Sequence, residues 1–201
     1  MAVNNKKDSS GGAASLWQRL RRPSAKYGVL TLLLAGVVAG VLFWGGFHTI
    51  VEATNTETFC IGCHEMRLNV YAEYQKTIHY NNRTGVRATC PDCHVPREWG
   101  PKMIRKIQAT RELYGKVTGS VDTREKFEAK RLQLAEREWA RMKGNDSLEC
   151  RNCHSLISMD SEKQKPRAKK SHDLAAKNND TCIVCHKGIA HQKPAGMKEE
   201  D

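Results

Sequence analysis

Cys60-Ile-Gly-Cys63-His64 opens a pattern that returns three more times along the chain. The repeats, which with it are called motifs 1 to 4 in chain order, are Cys90-Pro-Asp-Cys93-His94, Cys150-Arg-Asn-Cys153-His154 and Cys182-Ile-Val-Cys185-His186. All eight cysteines belong to a C-x-x-C-H pentapeptide, which is the attachment motif of c-type haem. Two thiols at this spacing on a tight helical turn can each bond one vinyl group, and the following histidine faces the iron. The sequence therefore predicts four covalently bound haem c groups.

Other uses of paired cysteines fit the pattern less well. Structural zinc sites also use C-x-x-C pairs, but zinc does not require a histidine directly after each pair. Disulfides across C-x-x-C are strained and rare as a framework, and thioredoxin-like redox pairs need a βαβ context. Zinc is the strongest of these alternatives and stays open at this point.

The composition indicates an interior that side chains do not fill. The chain has 201 residues, of which 39% are hydrophobic and 6% aromatic, and many of the apolar residues lie in one run near the N-terminus. The remainder is too poor in large apolar residues for an ordinary hydrocarbon core. The regularly spaced cysteines argue equally against a disordered chain. The composition therefore argues against an ordinary soluble enzyme with a hydrocarbon core.

The apolar run over positions 27–51 contains no Asp, Glu, Lys or Arg. A run of this length allows a tilted helix to cross a bilayer. The preceding arm, residues 1–26, carries six basic residues and one acid. The bias predicts a cytoplasmic N-terminus in a bacterial inner membrane and a periplasmic domain over residues 52–201. A cleaved signal peptide is the alternative, but its apolar stretch should be shorter and end at a small-x-small site.

The charge of the chain does not indicate nucleic-acid binding. Of the net +11, the arm supplies +5, which leaves +6 for the exported domain. Four haems would add about eight propionates, so the loaded domain should be close to neutral or slightly acidic. The basic composition is then compensation for cofactor charge, and no nucleic-acid partner is expected.

The motif spacing divides the domain into two di-haem halves. The interval from Cys60 to Cys90, which begin motifs 1 and 2, nearly equals the interval from Cys150 to Cys182, which begin motifs 3 and 4. The middle interval, from Cys90 to Cys150, is twice as long as the first. The predicted halves are residues 52–118 and 145–194, and residues 119–144 form a helical connector.

Three histidines outside the motifs are candidates for second axial ligands. His79 precedes Cys90 of motif 2 and His172 precedes Cys182 of motif 4 by nearly the same interval, so each half carries one at a matching place. His191 follows shortly after motif 4 ends and can reach a neighbouring haem rather than its own.

The number of ligands makes one haem different from the others. Four irons need eight axial positions, and these seven histidines are available: His64, His94, His154, His186, His79, His172 and His191. Motif 1 continues as Cys-His-Glu-Met, so Met66 offers a sulfur ligand. The first haem is predicted to be Met-ligated or open on one face. It follows the membrane segment closely, where a lipid-soluble reductant would arrive.

The rest of the chain indicates helices. Asp122-Thr-Arg-Glu125 is typical of a capping box, and Gly144-Asn145 should end the helix that it starts. Four apolar residues share one face of that helix: Leu132, Ala135, Trp139 and Met142. Residues 97–116 mix apolar and basic side chains, as at a membrane surface, and residues 161–170 are predicted to be a loop. The predicted fold class is all-α, with a single N-terminal transmembrane helix and a haem-packed periplasmic domain.

The sequence resembles the NapC/NirT family of membrane-anchored tetrahaem cytochromes, and its NapC members in particular. The matching stretches run from about residue 17 to 194 and are CHEMR, HYNNRTGVRATCPDCHVP, PKMIRK, ELYGK, RMKGNDSLECRNCH and TCIVCHKGIAH. The resemblance implies a quinol dehydrogenase that oxidises menaquinol or ubiquinol. It also implies that electrons pass to a periplasmic reductase, for NapC the di-haem subunit of periplasmic nitrate reductase. A homodimer stays open.

The resemblance also implies roles for residues near the first haem. Met66 would bind its iron, and whether His64 is then off the iron stays open. Glu112 would lie over the other face and accept a proton from quinol. Lys106 would orient a quinol oxygen, although Arg105 or Lys102 could fill that role.

Two further expectations concern the ligands and the function. By the same resemblance, His191 would serve the second haem. Two other functions stay open: a relay between protein partners that never touches quinone, and a small-molecule reductase at an open haem.

Overall fold

The computed structural model of the protein describes residues 24–197, and their regular structure is helical throughout. The predicted all-α fold class is confirmed for this part of the chain. The basic arm predicted over residues 1–26 lies almost wholly outside the described residues. The chain divides into two compact units, Met1–Ile50 and Val51–Asp201.

Helix α1, Val29–Ala53, has 25 residues and begins and ends two residues later than the predicted membrane segment. It is long and apolar enough to cross a membrane, and none of its residues is buried by the protein. Inside the helix, the Thr49 hydroxyl donates to the Gly45 carbonyl at 2.8 Å, so this polar side chain has a partner within the helix itself.

The second unit consists of short helices and one long one. In chain order they are α2 Glu57–Ile61, a π-helix Met66–Tyr71, α3 Ala72–Tyr74, α4 Cys90–His94, α5 Trp99–Gln108, α6 Thr110–Val117, α7 Arg124–Gly144, α8 Leu148–Arg151, a 3-10 turn Ser161–Lys163, α9 Pro166–Asn178 and α10 Cys182–Cys185. Each motif thus begins on a helix of four or five residues. A threonine caps three of these helices, at Thr56, Thr89 and Thr181, and β-region caps of this type favour helix starts.

Side chains form very little of a core in this unit. Apart from two prolines, four apolar residues are buried among those described, and they are Tyr74, Phe127, Met142 and Ile183. A domain of this size normally buries many more. The composition predicted such an interior, poor in large apolar side chains.

Helix α7 confirms the helical connector but begins differently from the prediction. Thr123, not Asp122, is the N-cap, and its hydroxyl accepts from the Lys126 amide at 3.3 Å. The Asp122 carboxylate instead pairs with the Lys126 ammonium at 2.7 Å. The predicted Asp122–Glu125 capping box is therefore wrong by one residue. The predicted C-terminus is confirmed, because Gly144 is the last residue and Asn145 the C-cap.

The prediction of a loop over residues 161–170 is also partly wrong. The segment starts with the 3-10 turn, but α9 begins inside it at Pro166, which occupies the first turn of the helix. Proline suits this position because its fixed φ matches the helix and its missing N–H needs no partner there. Helix α9 carries His172, so the position of this histidine depends on a helix that sequence reasoning did not identify.

Candidate functional site

The eight cysteines are free thiols that are half-buried or exposed. Consecutive motifs are neighbours in space. A hydrogen bond with Cys90 lowers the pKa of Cys60 to about 7, which places motif 1 beside motif 2. Burial, with Cys150 nearby, raises the pKa of Cys93 to about 11, and Cys182 acts on the Cys150 thiol in turn. The four motifs therefore follow one another through the unit in chain order.

Six of the histidines form three pairs of neighbouring rings. His94 and His191 have ring centroids 6.2 Å apart, and His79 and His154 are also 6.2 Å apart. The third pair, His172 and His186, is 6.1 Å apart. Each pair joins one motif histidine to one of the three histidines outside the motifs. Within the described residues, no group of three or more His, Cys, Asp or Glu side chains is arranged to hold a bare metal ion.

The spacing within each pair fits an iron between the two rings. An imidazole nitrogen bonds a transition metal at about 2 Å and the ring centre lies about 1 Å behind it, so two opposite ligands put their centroids roughly 6 Å apart. Burial lowers the pKa of His191 to about 4 and also lowers that of His79. Burial therefore favours the neutral form of both imidazoles, which is the form that binds metal. The buried Nδ1 of His79 has no hydrogen-bond partner.

Two of the paired histidines are held by a side chain on Nδ1. His94 Nδ1 donates to Glu138 Oε1 at 2.8 Å, and His172 Nδ1 donates to Gln164 Oε1 at the same distance of 2.8 Å. A proton on Nδ1 leaves the lone pair on Nε2 for a metal. These two rings therefore carry the tautomer that an Nε2 ligand needs.

His64 differs from the other motif histidines. Its Nε2 donates to the Asp122 carbonyl at 2.9 Å, and its Nδ1 accepts from the Lys116 ammonium at 3.3 Å. Lys116 also binds the buried Glu65 at 2.7 Å. No second histidine faces the His64 ring in the described part of the chain. With Nε2 protonated and Nδ1 occupied, this ring has no lone pair left for a metal.

Met66 lies where the chain leaves motif 1. It is the first residue of the π-helix Met66–Tyr71, a rare form that often marks functional sites. Met66 lines a cavity together with Cys60, Cys90 and the facing rings of His94 and His191. Met66 and Cys60 of motif 1 therefore border the same cavity.

Lys106 and Glu112 both lie near motif 1. The charges of both side chains act on the Cys60 thiol. Lys106 is half-buried and donates to the Thr54 carbonyl at 2.9 Å and the Thr54 hydroxyl at 3.0 Å, and burial lowers its pKa. Glu112 is 65% exposed and pairs with Arg105 at 2.7 Å. Lys102 pairs with Glu52 at 2.9 Å instead.

Helices α5 and α6, which carry these residues, expose an apolar face. The exposed apolar residues are Trp99, Ile104, Ile107, Leu113, Tyr114 and Val117. Basic residues interleave with them along both helices. Amphipathic helices with this composition are typical of segments at a lipid interface, as predicted for residues 97–116.

Sequence reasoning missed the acid that holds His94. Arg141 donates to the Glu138 carboxylate at 2.7 Å and to Glu149 at 2.5 Å, and the Glu149 side chain is fully buried. This network joins the histidine of motif 2 to the residue directly before motif 3. The sequence contained a signal for this role. Glu138 lies one helical turn before the buried Met142, so it is an acid on the face of α7 that packs inward.

A second buried network, also missed, holds the segment that carries His191. Arg131 forms a two-pronged ion pair with Glu73, at 2.5 and 2.9 Å. Glu73 accepts from the Gln192 amide at 2.9 Å, and Arg131 donates to the Gln192 carbonyl at 3.3 Å. The ion pair therefore clamps the backbone next to His191. Arg131 lies four residues after the buried Phe127, on the same face of the helix. A charged residue on a buried face indicates a buried ion pair, and the sequence could have been interpreted in this way.

Comparison with known proteins agrees with these features. The model of the NapC/NirT cytochrome c family, N-terminal region, matches residues 22–196. The chain is 65% identical to the denitrification system component NirT of Stutzerimonas stutzeri, over 97% of this chain and 96% of that protein. It is 57% identical to the cytochrome c-type protein NapC of Escherichia coli K12, over 96% of each.

A third relative is longer than this chain. The cytochrome c-type protein TorC of Escherichia coli K12 is 49% identical over 89% of this chain but only 46% of its own length. No solved structure matches the chain.

Proposed function

The chain belongs to the NapC/NirT cytochrome c family, and from that premise we propose that it oxidises membrane quinol for a periplasmic reductase. Membership makes it a membrane-anchored electron-transfer cytochrome with covalently bound haem. The proposal adds the donor, menaquinol or ubiquinol, and the acceptor, the periplasmic nitrate reductase complex. It also adds the orientation, with the N-terminus in the cytoplasm and residues 52–201 in the periplasm.

One observation carries the proposal: motif 1 differs from the other three motifs at the place where Lys106 and Glu112 lie. Its histidine has no facing histidine among the described residues and uses both ring nitrogens elsewhere. A haem held here would keep one face for something other than a second histidine. Lys106 and Glu112 supply a hydrogen-bond donor and a proton acceptor beside it, which are the groups that quinol oxidation needs.

We assign one haem c to each motif. The cysteine pairs of the four motifs would hold the haems covalently. The three histidine pairs would hold the irons of the haems at motifs 2, 3 and 4, as His94 with His191, His154 with His79, and His186 with His172. Met66 would bind at motif 1. When bound, the haems supply one-electron redox chemistry.

The side chains of α5 and α6 would handle the quinol itself. Oxidation of a quinol releases two electrons and two protons and leaves a quinone. Lys106 has three N–H donors, of which two bind Thr54, so the third would orient a quinol oxygen. Arg105 holds the Glu112 side chain in an ion pair at 2.7 Å, and the Glu112 carboxylate would accept a proton. Because Glu112 is largely exposed, it would pass each of the two protons on to water in turn, one with each electron.

The order of the motifs suggests the way out for electrons. Motif 1 lies beside motif 2, and α4 of motif 2 packs on α8 of motif 3. The Cys150 and Cys182 thiols are close enough to interact, so motif 3 lies beside motif 4. Electrons would leave the quinol one at a time and pass along this order to an acceptor near motif 4.

The test is reduction of the detergent-purified full chain by a soluble menaquinol analogue, followed at the haem α-band with dithionite as the full-reduction control. We expect the quinol to reduce the protein. Reduction by dithionite alone would overturn quinol oxidation and favour a relay between proteins. The lack of an α-band in protein from cells able to mature c-type cytochromes would overturn the haem assignment and favour zinc.

A second measurement tests the acceptor. The quinol-reduced protein is mixed with purified periplasmic nitrate reductase complex and nitrate, and we expect reoxidation. If only another periplasmic reductase reoxidises it, the acceptor is wrong while quinol oxidation stands.

A further inference from the structure

Two histidines in different pairs have the same hydrogen bond to acceptors of different charge. His94 donates from Nδ1 to the carboxylate of Glu138, and His172 donates from Nδ1 to the amide oxygen of Gln164, both at 2.8 Å. The distances are equal, and the acceptors differ in charge, because one is a carboxylate and the other a neutral amide oxygen. The chain thus contains a matched comparison within one molecule.

The charge on Glu138 is only partly balanced. Arg141 binds Glu138 and the buried Glu149 together, and Asn145 adds a neutral donor to Glu149 at 3.1 Å. Two carboxylates share one guanidinium, so a net negative charge remains at the contact with His94. The Gln164 side chain, by contrast, is neutral.

A carboxylate on Nδ1–H changes what the imidazole does to a metal. It draws the proton away from the ring and makes Nε2 a stronger electron donor. It also places negative charge near the iron, which stabilises the oxidised form more than the reduced form. An amide oxygen at the same distance orients the ring without adding charge.

We propose that Glu138 and Gln164 set the order of two haem potentials, with the haem of motif 2 lower than the haem of motif 4. The inference rests on the proposed function, in which His94 and His191 share one iron and His172 and His186 share another. Electrons that enter at motif 1 would then pass from motif 2 to motif 4 down a gradient set by one carboxylate on α7. Glu138 and Gln164 are positioning residues that act through the histidines.

The experiment is a redox titration of the detergent-purified loaded protein, followed by the low-spin EPR signal of each haem. His191→Ala and His172→Ala identify the two signals, because each should convert one low-spin haem to high-spin. In Glu138→Gln we expect the potential of the motif 2 haem to rise while its signal stays low-spin. Glu136→Gln is the control, since Glu136 is a carboxylate on the same helix outside the contact with His94, and it should leave all potentials unchanged.

The reciprocal variant moves the other haem in the opposite direction. Gln164→Glu places a carboxylate on His172, and we expect the potential of the motif 4 haem to fall. If Glu138→Gln does not incorporate its haems, Gln164→Glu alone decides. A lower potential of the motif 4 haem supports the proposal, and an unchanged potential overturns it.

The outcomes also separate the two proposals. Unchanged potentials in both variants, or an equal shift in Glu136→Gln, would overturn the roles of Glu138 and Gln164. If His191→Ala and His172→Ala leave every low-spin signal intact, the ligand assignment under the proposed function fails instead. A merely structural role for Glu138 would lower haem content without producing opposite shifts at two haems.

Discussion

Motif 1 and motif 2 share one pentapeptide pattern, yet the histidines that end them have opposite surroundings. His94 gives its Nδ1 proton to Glu138 and its ring faces that of His191. His64 gives its Nε2 proton to a backbone carbonyl and its remaining lone pair to Lys116. The His94 ring has a free lone pair on Nε2 that can bind a metal, whereas both ring nitrogens of His64 already bind protein groups.

The difference shows that the groups around a motif decide what its histidine does. Covalent attachment needs only the local pattern, which both motifs have. Ligation needs a lone pair on the correct nitrogen, and a distant residue determines which nitrogen is protonated. Under the proposed function, motif 1 would keep one face of its haem for the quinol, and motif 2 would use two histidines for electron transfer alone.

The largest effect should come from Met66→Leu, which removes the proposed sulfur ligand while keeping a similar volume. We expect one haem to change its ligand field, with loss of the sulfur-to-iron charge-transfer absorption, while the three bis-His signals remain. Met103→Leu is the matched control, because Met103 is a half-buried methionine on α5. An unchanged spectrum in Met66→Leu would return the ligand role to His64 and remove the contrast between the motifs.

Arg131→Met should cost about 3–5 kcal/mol of unfolding free energy, because it leaves the Glu73 carboxylate buried without its partner. Both side chains of this pair are at most 10% exposed. The measurement is chemical denaturation of the loaded protein, followed by far-UV circular dichroism. Arg124→Met, at the exposed start of the same helix, is the control. Equal unfolding midpoints in the two variants would show that the clamp on Gln192 does not hold the motif 2 region.

Glu112→Gln should lower kcat for quinol oxidation by about two orders of magnitude, as expected when a proton acceptor is lost. The haem content and the ligand signals should not change, because Glu112 contacts no proposed ligand. Rates are measured with the menaquinol analogue. Glu98→Gln, an exposed acid at the start of α5, serves as the control. Wild-type kcat in Glu112→Gln would remove this residue from the mechanism and leave the quinol at motif 1 without an identified proton acceptor.

Local features of this fold could be predicted from the sequence, and long-range ones could not. The motifs, the helical class and the C-terminus of α7 depend on neighbouring residues. The histidine pairs do not: His79 and His172 occupy matching places in the two halves, but His172 faces its own half whereas His79 faces motif 3. Which ring meets which motif depends on packing across the unit, and no local pattern records it.

The errors at helix ends have the same origin. Asp122 looked like an N-cap, but its carboxylate binds Lys126 and its carbonyl binds His64, so Thr123 takes the cap. Helix α9 was missed because it has few apolar residues. In a domain where haem is expected to fill the interior, a helix needs only a thin apolar stripe, and the periodicity used to find helices becomes weak.

The smallest effect should come from Lys106→Met, and it separates binding from chemistry at motif 1. If Lys106 only orients quinol, its loss weakens ground state and transition state equally, so KM should rise about tenfold while kcat stays close to wild type. Steady-state kinetics with the menaquinol analogue measure both. Lys102→Met is the control, because Lys102 lies one helical turn earlier and pairs with Glu52. If kcat falls as far as in Glu112→Gln, Lys106 takes part in proton transfer itself, and the division of roles beside motif 1 is wrong.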